Sequence, residues 1–307
     1  MINIIVNYFI NKYFRRQKPE DVLEYLDRFA VRLSETGRPG ILDRYFEAEE
    51  SFAALPHEDV SVISADGLTL RGRFYGSSGG GHGYVLLAHG FRSSGERDFG
   101  LQFGFLRRCG LNILVIDQRA HGHSEGEYVA LGSLEMKDVK LWTDYIKSRD
   151  AEACIVLYGV SMGATACCGA AGLLGDDPAF RGLIADCGFV SPHSLLRGFA
   201  GGEKKPFINR FMKTVDRVFL RKTGGDTHTP DLLSVMKEVK APALFVHGGS
   251  DSFVPPDNTR RLFEACGSAY KRLLTVENAG HAEAFVRGEE EYRKEIEGLL
   301  KVCFPET

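Results

Sequence analysis

The chain has 307 residues, of which 44% are hydrophobic and 26% charged, as in an ordinary soluble protein with one large domain or a core domain plus an insertion. Its net charge of -3 and the lack of a long Lys/Arg run give no attraction for nucleic acid, so we expect no nucleic-acid partner. The seven cysteines form no CxxC pair, which argues against a zinc ribbon and is typical of reduced, packed thiols in a cytoplasmic protein.

Residues 1–55 are predicted to form an N-terminal helical extension. The stretch from Met1 to Phe14 is apolar and leads into basic residues, but it is too short to span a bilayer. The simpler interpretation is a helix packed on the domain. An interfacial anchor or an oligomer contact is the alternative, which leaves peripheral membrane association open. A second amphipathic pattern follows, with apolar residues at helical spacing: Leu23, Leu26, Phe29, Ala30 and Leu33.

Strand patterns begin after Pro56. The first is a hairpin that turns at Asp66-Gly67. Beyond it, uniformly apolar stretches alternate with helical ones, which predicts a mostly parallel, doubly wound sheet covered by helices on both faces, with the hairpin at one edge. The predicted parallel strands cover residues 84–88, 112–116, 155–158, 183–185, 243–246 and 272–276, and residues 285–302 are predicted to form the closing helix.

The alternation stops over residues 189–238, which are too many for a structureless loop in a compact domain. We therefore predict a helical cap insertion that divides an α/β core into residues 56–188 and 239–307. The cap is expected above the carboxyl ends of the strands, where it can cover a ligand. Phe199, Phe207 and Phe211 are its candidate substrate-binding residues.

The segment Gly159-Val160-Ser161-Met162-Gly163 has the form G-x-S-x-G, and it follows a predicted strand and opens a predicted helix. A nucleophilic serine needs this tight strand-to-helix turn, and the flanking glycines avoid collisions with neighbouring elements. The helix N-terminus behind the serine also favours developing negative charge. Ser161 is therefore the candidate catalytic nucleophile.

From this motif the chain resembles the α/β-hydrolase superfamily over about residues 57–305. The resemblance implies an oxyanion loop at His89-Gly90-Phe91, where the backbone N–H groups of Phe91 and Met162 would form the oxyanion hole. It gives His89 a structural rather than a catalytic role.

The same resemblance implies the other two catalytic residues. The segment His247 to Pro255 is similar to the superfamily's HG-x-x-D-x-x-V-P pattern, which makes Asp251 the acid, and Gly280-His281 matches the position of the base. The order Ser, Asp, His is that of the superfamily. Asp186, at the end of the fourth parallel strand, is the alternative acid, but the segment around Asp251 fits the pattern better.

Residues 117–124 resemble the superfamily's D-x-R-G-x-G-x-S turn, with Ala120 in place of a glycine, and this turn is structural in the family. His121 and His123 lie in it, but no acidic or cysteine partners cluster with them in the sequence. We therefore expect no metal and no cofactor.

The motifs together most resemble the serine-aminopeptidase and cinnamoyl-esterase-like branch, which implies hydrolysis of a small-molecule ester or amide through an acyl-enzyme. Cleavage of a carboxylic ester is the leading hypothesis. Peptidase, thioesterase or acyltransferase activity on the same residues stays open, because the fold alone does not determine the substrate. A non-catalytic binding protein on this fold is disfavoured by the intact set of Ser161, Asp251 and His281.

Overall fold

An eight-stranded sheet forms the centre of the molecule. The computed structural model of the protein describes residues 2–17, 40–201 and 208–305. The strands are β1 (Glu58–Ile63), β2 (Thr69–Tyr75), β3 (Gly83–Ala88), β4 (Asn112–Ile116), β5 (Cys154–Val160), β6 (Phe180–Asp186), β7 (Ala243–Gly248) and β8 (Lys271–Val276). Their order in the sheet is β1-β2-β4-β3-β5-β6-β7-β8, with the β1–β2 hairpin antiparallel at one edge, β2 antiparallel to β4, and all other pairs parallel.

Helices cover both faces of this sheet. They are α1 (Ile2–Phe14), α2 (Ile41–Ala53), α3 (Gly95–Arg108), α4 (Glu135–Arg149), α5 (Met162–Leu174), α6 (Pro192–Phe199), α7 (Ile208–Thr223), α8 (Leu232–Glu238), α9 (Asp257–Ala265), α10 (Ala284–Arg287) and α11 (Glu289–Cys303). One face of the sheet packs against α4, α5, α8 and α9 around Trp142, and the other against α2, α3, α10 and α11 around Phe99 and Tyr292. The predicted doubly wound, mostly parallel fold is thus confirmed.

The central parallel strands are predictable because both of their faces are buried. In β3, Val85, Leu86 and Leu87 are all completely buried, as in a central strand that helices cover on both sides. β4 is buried along its whole length. Side chains on alternate sides of these strands enter two different cores, so an unbroken apolar run is what the sheet requires.

The closing helix departs from the prediction of a single helix over residues 285–302. It is divided into α10 and α11 at Gly288, whose backbone angles of -122° and 39° are not helical. Gly288 also packs tightly on β8, because a Cβ added there would lie 2.9 Å from a methyl group of Val276. Periodicity alone does not reveal such a break.

A third apolar cluster lies between the core and the predicted cap. The inner face of α1 contributes Val6, Ile10 and Phe14, and α7 contributes Val215 and Phe219, among others. The rings of Phe14 and Phe219 meet edge to face with centroids 5.8 Å apart. The N-terminal helix therefore packs on the insertion as well as on the core.

The outer face of α1 is apolar and exposed. Ile4 is 73% exposed, Ile5 54% and Tyr8 65%. No helix in the described part of the chain is long and apolar enough to cross a membrane. The second amphipathic pattern of the N-terminal region, from Leu23 to Leu33, lies outside the described residues.

Candidate active site

Ser161 stands at a sharp turn between β5 and α5. Its backbone angles are φ 54° and ψ -115°, a left-handed conformation that costs a non-glycine residue about 1–3 kcal/mol. The turn is held by hydrogen bonds, since the N–H of Ser161 donates to the carbonyl oxygen of Asp186 at 2.7 Å and the N–H of Thr165 donates to that of Ser161 at 3.0 Å. The sheet thus fixes the serine at its carboxyl edge.

The two glycines of the motif are required by close backbone approach. A Cβ added to Gly163 would lie 1.9 Å from the carbonyl oxygen of Ala88 in β3, and one added to Gly159 would lie 2.3 Å from the backbone of Gly163. Both obstacles are backbone atoms, which cannot move aside as a flexible side chain can. The sequence argument for these glycines therefore has a direct geometric basis.

The three side chains that the sequence assigns to catalysis form one hydrogen-bonded series. Nε2 of His281 lies 2.9 Å from Oγ of Ser161, and Nδ1 of the same ring lies 2.7 Å from Oδ2 of Asp251. His281 lies in the loop between β8 and α10, and Asp251 in the loop after β7. Three loops at the carboxyl edge of the sheet thus bring together residues that are far apart in the sequence.

Asp251 is completely enclosed and held in place by four groups. Its Oδ1 accepts the N–H groups of Phe253 and Val254, each at 2.9 Å, and its Oδ2 lies 3.1 Å from Nε2 of His247 and next to His281. Burial opposes the charge of this carboxylate, but the hydrogen bonds with His247 and His281 outweigh it. They hold the pKa of Asp251 well below its usual range.

His247 is a supporting residue that the sequence reasoning did not identify. Its Nε2 faces the carbonyl oxygen of Val254 at 2.8 Å as well as Asp251, and both of these oxygens can only accept. Nε2 therefore carries the proton, and Nδ1 accepts from the hydroxyl of Thr259 at 2.6 Å. The signal for this role is the position of His247 at the start of the segment that ends in Pro255.

Asp186, the alternative acid, lies in a different environment. Its carboxylate accepts a hydrogen bond from the hydroxyl of Tyr292 at 3.0 Å, and Tyr158 donates to the Tyr292 oxygen at 2.8 Å. Burial raises the pKa of Asp186 to about 6, although the Tyr292 hydrogen bond favours its ionised form. The carboxylate within hydrogen-bond distance of the His281 ring is that of Asp251.

The predicted oxyanion loop lies directly beside the serine. A Cβ added to Gly90 would lie 3.4 Å from Cβ of Ser161. In this loop the N–H of Gly90 donates to Asp98 at 2.6 Å, and the N–H of Arg92 donates to Nε2 of His121 at 3.0 Å. The N–H of Phe91, between them, has no hydrogen-bond acceptor in the described part of the chain. Met162 is the first residue of α5, where N–H groups have no partner within the helix.

Two histidines support this loop. Nε2 of His89 accepts the N–H of Gln118 at 3.1 Å, in line with the structural role that the resemblance implies. Burial, and after it the neighbouring His89, lowers the pKa of His121 to about 3, so this ring is neutral. Its Nδ1 donates to the carbonyl oxygen of Arg119 at 2.9 Å, which leaves Nε2 free to accept from Arg92.

The turn at residues 117–124 is tied into the core by its own polar groups. Nε of Arg119 donates to Asp138 at 2.6 Å, and Asp66 in the edge hairpin accepts from the same guanidinium at 2.9 Å. Ala120 has φ 59°, the left-handed region where the superfamily's glycine would be unstrained. His123 points to Asp117 at 3.2 Å and is itself 86% exposed.

The candidate substrate residues are not all near the serine. The ring of Phe199 lies 5.1 Å from that of Phe253, whose ring lies 4.9 Å from His281. Phe211 is partly buried and packs against the cluster beneath the cap. Phe207 lies outside the described residues. Phe253 is thus an aromatic residue that contacts the histidine, and its sequence signal was its place two positions after the predicted acid.

Known proteins similar to this chain agree with this architecture. A family model described as serine aminopeptidase, S33, matches residues 80–234. The uncharacterized protein YqkD of Bacillus subtilis is 27% identical over 260 residues, which cover 84% of each chain. The solved structure of the Pyrococcus furiosus esterase Pf2001 has a TM-score of 0.65 and 22% identity, covering 82% of this chain and 94% of the other. Est1E of Butyrivibrio proteoclasticus, solved with ferulic acid bound, has a TM-score of 0.62 and 18% identity, covering 79% and 98%.

Proposed function

Because this chain belongs to the serine aminopeptidase S33 family of α/β-hydrolases, we propose that it hydrolyses a carboxylic ester. In this proposal Ser161 is the nucleophile, His281 is the general base, and Asp251 is the carboxylate that orients His281. The observation that carries the proposal is the unbroken series of hydrogen bonds, 2.9 Å from Ser161 to His281 and 2.7 Å from His281 to Asp251. Both distances are within the reach that proton transfer requires.

The proposed reaction has two half-reactions. Oγ of Ser161 attacks the ester carbonyl carbon while Nε2 of His281 takes its proton, and Asp251 stabilises the resulting imidazolium. The carbonyl oxygen, now negative, is bound by the N–H groups of Phe91 and Met162. The intermediate then expels the alcohol, which receives the proton from His281, and the acyl group stays bonded to Oγ of Ser161. In the second half-reaction, water attacks the acyl carbon while the same ring takes its proton. The bond between that carbon and Oγ then breaks, His281 returns the proton to Oγ, and the carboxylic acid is released.

The electrostatics of the site favour this assignment of roles. The depressed pKa of Asp251 keeps its carboxylate ionised at neutral pH, so it can accept from Nδ1 of His281 and leave Nε2 as the base. The neutral His121 holds the loop that carries Phe91. Two fixed donors at the oxyanion are worth about 3 kcal/mol each in such sites.

An ester fits the surroundings of His281 better than a peptide with a free amino terminus. The rings of Phe199 and Phe253 present an apolar surface there, 48% and 45% exposed. An aminopeptidase needs an anionic group for the substrate's ammonium. Two nearby carboxylates are engaged otherwise, since Asp98 binds the N–H of Gly90 and Glu283 binds that of Gly280 and the guanidinium of Arg287.

The test is a substrate panel. Purified protein is assayed against p-nitrophenyl esters of increasing chain length, a matched thioester and aminoacyl anilides. We expect the highest kcat/KM on an ester and loss of turnover in Ser161→Ala. Higher kcat/KM on the anilides would make the protein a peptidase, and higher kcat/KM on the thioester would make it a thioesterase. Turnover retained in Ser161→Ala would refute the proposed nucleophile.

A further inference from the structure

Three polar side chains from separate segments of the cap region meet at its surface. His193 lies in the first turn of α6, Asp216 in the middle of α7, and His228 in the segment between α7 and α8. Nδ1 of His193 lies 3.0 Å from Oδ1 of Asp216, and Nε2 of His228 lies 3.6 Å from Oδ2. The two imidazole rings stack with centroids 4.1 Å apart, and each ring has a nitrogen directed at the same carboxylate.

These separations match those between ligands of one metal ion. Zinc binds imidazole nitrogens and carboxylate oxygens at about 2.0–2.2 Å, which places neighbouring ligand atoms of a tetrahedral site about 3.3 Å apart. The two nitrogen–oxygen distances, 3.0 Å to Oδ1 and 3.6 Å to Oδ2 of the same carboxylate, lie on either side of that value. One ligand atom from each residue lies within 4.8 Å of the other two. Rotation of the side chains would have to bring these three atoms to about 2 Å from one ion.

The site is held in shape by a second set of hydrogen bonds. The hydroxyl of Thr227 donates to Oδ1 of Asp216 at 2.7 Å, and its carbonyl oxygen accepts the backbone N–H of His193 at 2.7 Å. Asp226 accepts the backbone N–H of His228 at 2.9 Å. Groups that orient ligands in this way usually accompany a metal site and strengthen it.

The site is also open to solvent. The side chains of His193 and Asp216 are 21% and 24% exposed, and that of His228 is 60% exposed. An ion can therefore reach the three ligands, and water can complete its coordination.

We propose that His193, Asp216 and His228 bind one divalent transition-metal ion, with zinc the best match to two imidazoles and a carboxylate. The proposal departs from the expectation that the chain has no metal site. It is independent of the hydrolytic reaction, because the site lies on the cap and shares no residue with the Ser161–His281–Asp251 series.

A bound ion would join three segments of the cap region. It would fix the start of α6 to α7 and to the segment after it. The last residue of α6 is Phe199, whose ring packs on Phe253, and the ring of Phe253 lies beside His281. The ion would thus stabilise the helix whose other end borders the proposed catalytic residues. Its role would be structural.

Metal binding can be measured directly on the full-length protein. Chelator-treated protein is titrated with Zn²⁺ by calorimetry and with Co²⁺ by visible absorption, and its Tm is recorded with and without Zn²⁺. We expect one equivalent to bind and Zn²⁺ to raise the Tm, because a ligand that binds only the folded state stabilises it. His228→Ala should lower the affinity at least about tenfold and abolish the Tm shift.

The matched control is His82→Ala. His82 is 59% exposed and pairs with Asp150 at 2.8 Å, so it resembles half of the proposed site without a second histidine. This variant should bind Zn²⁺ as the wild type does. His228 is exposed enough for its variant to fold, which a melt in chelator verifies. The proposal is overturned if the wild type binds no stoichiometric metal, or if His228→Ala binds it as tightly as the wild type.

Discussion

Replacing Asp251 by asparagine exchanges one carboxylate oxygen for an amide nitrogen and tests whether Asp251 determines which nitrogen of His281 carries the proton. The carboxylate oxygen Oδ2 accepts from Nδ1 of His281 at 2.7 Å. An amide N–H₂ in that position would donate instead, so Nδ1 would have to be the unprotonated nitrogen. The proton would then sit on Nε2, which lies 2.9 Å from Oγ of Ser161 and could no longer accept the hydroxyl proton.

The expected effect is large. An aspartate-to-asparagine change that imposes the wrong histidine tautomer lowers kcat about 10⁴-fold in serine hydrolases with the same geometry. That factor corresponds to about 5 kcal/mol of activation free energy. The fold should survive, because Oδ1 of the new side chain can still accept the N–H groups of Phe253 and Val254.

Asp186→Asn is the matched control, since its carboxylate is bound by Tyr292 and not by His281. We expect this variant to keep kcat within about tenfold of the wild type. Its stability should instead depend differently on pH. The folded-state pKa of Asp186 is about 6 and thus raised above the unfolded value, so the wild type loses stability as the pH rises from about 4 to about 6. Asparagine cannot ionise and should remove that loss, which is at most about 3 kcal/mol.

The assay compares kcat on p-nitrophenyl butyrate for both variants, with circular dichroism melts between pH 4 and 8 as the test of folding. Asp251→Asn should be almost inactive and folded, and Asp186→Asn should be active. The reasoning is refuted if Asp186→Asn loses most of its activity while Asp251→Asn keeps most of its own. In that case the hydrogen bonds seen at Asp251 would not be those that orient His281 during turnover.

Two further predictions concern the turn and the apolar surface. Gly163→Ala should lower the free energy of unfolding by about 3 kcal/mol or more, because the new methyl group would lie 1.9 Å from a backbone oxygen. The control Gly81→Ala has open space around it and should change the free energy of unfolding by less than about 0.5 kcal/mol. Equal urea denaturation midpoints for the two variants would contradict this. Across an ester series from acetate to decanoate, kcat/KM of the wild type should rise about fourfold per methylene until the pocket is full. Phe199→Ala and Phe253→Ala should make the rise of kcat/KM with chain length less steep. Phe211→Ala should leave that rise unchanged and lower the Tm. An unchanged rise in both Phe199→Ala and Phe253→Ala would exclude the surface formed by these two rings as the acyl site.

The residues of the proposed triad could be assigned from the sequence because Ser161 lies in a G-x-S-x-G motif after an apolar strand, and because the segments that hold Asp251 and His281 resemble the superfamily's patterns after later predicted strands. Parallel strands end at one edge of the sheet, so motifs placed after β5, β7 and β8 had to lie close together. Gly159 and Gly163 of the G-x-S-x-G motif were predictable for a steric reason, since a side chain at either position would collide with backbone atoms.

Contacts that arise only from tertiary packing were not predictable. The hydrogen bond between His247 and Asp251 depends on how the loop after β7 folds back on that strand. The break at Gly288 depends on the packing of that residue against β8. The cluster of His193, Asp216 and His228 has no recognisable ligand spacing, because its members come from two helices and a connecting segment. Sequence periodicity does not predict such contacts between residues of separate structural elements.

The central claim is that Ser161 is an activated nucleophile. A fluorophosphonate probe reacts with such a serine because its Oγ is deprotonated by a neighbouring base as it attacks. The measurement is intact-mass analysis after labelling, followed by peptide mapping of the modified residue. The account predicts one added probe group, located on Ser161, and no labelling of Ser161→Ala. Labelling of Ser161→Ala at the wild-type level, or a probe mapped to another serine, would contradict it.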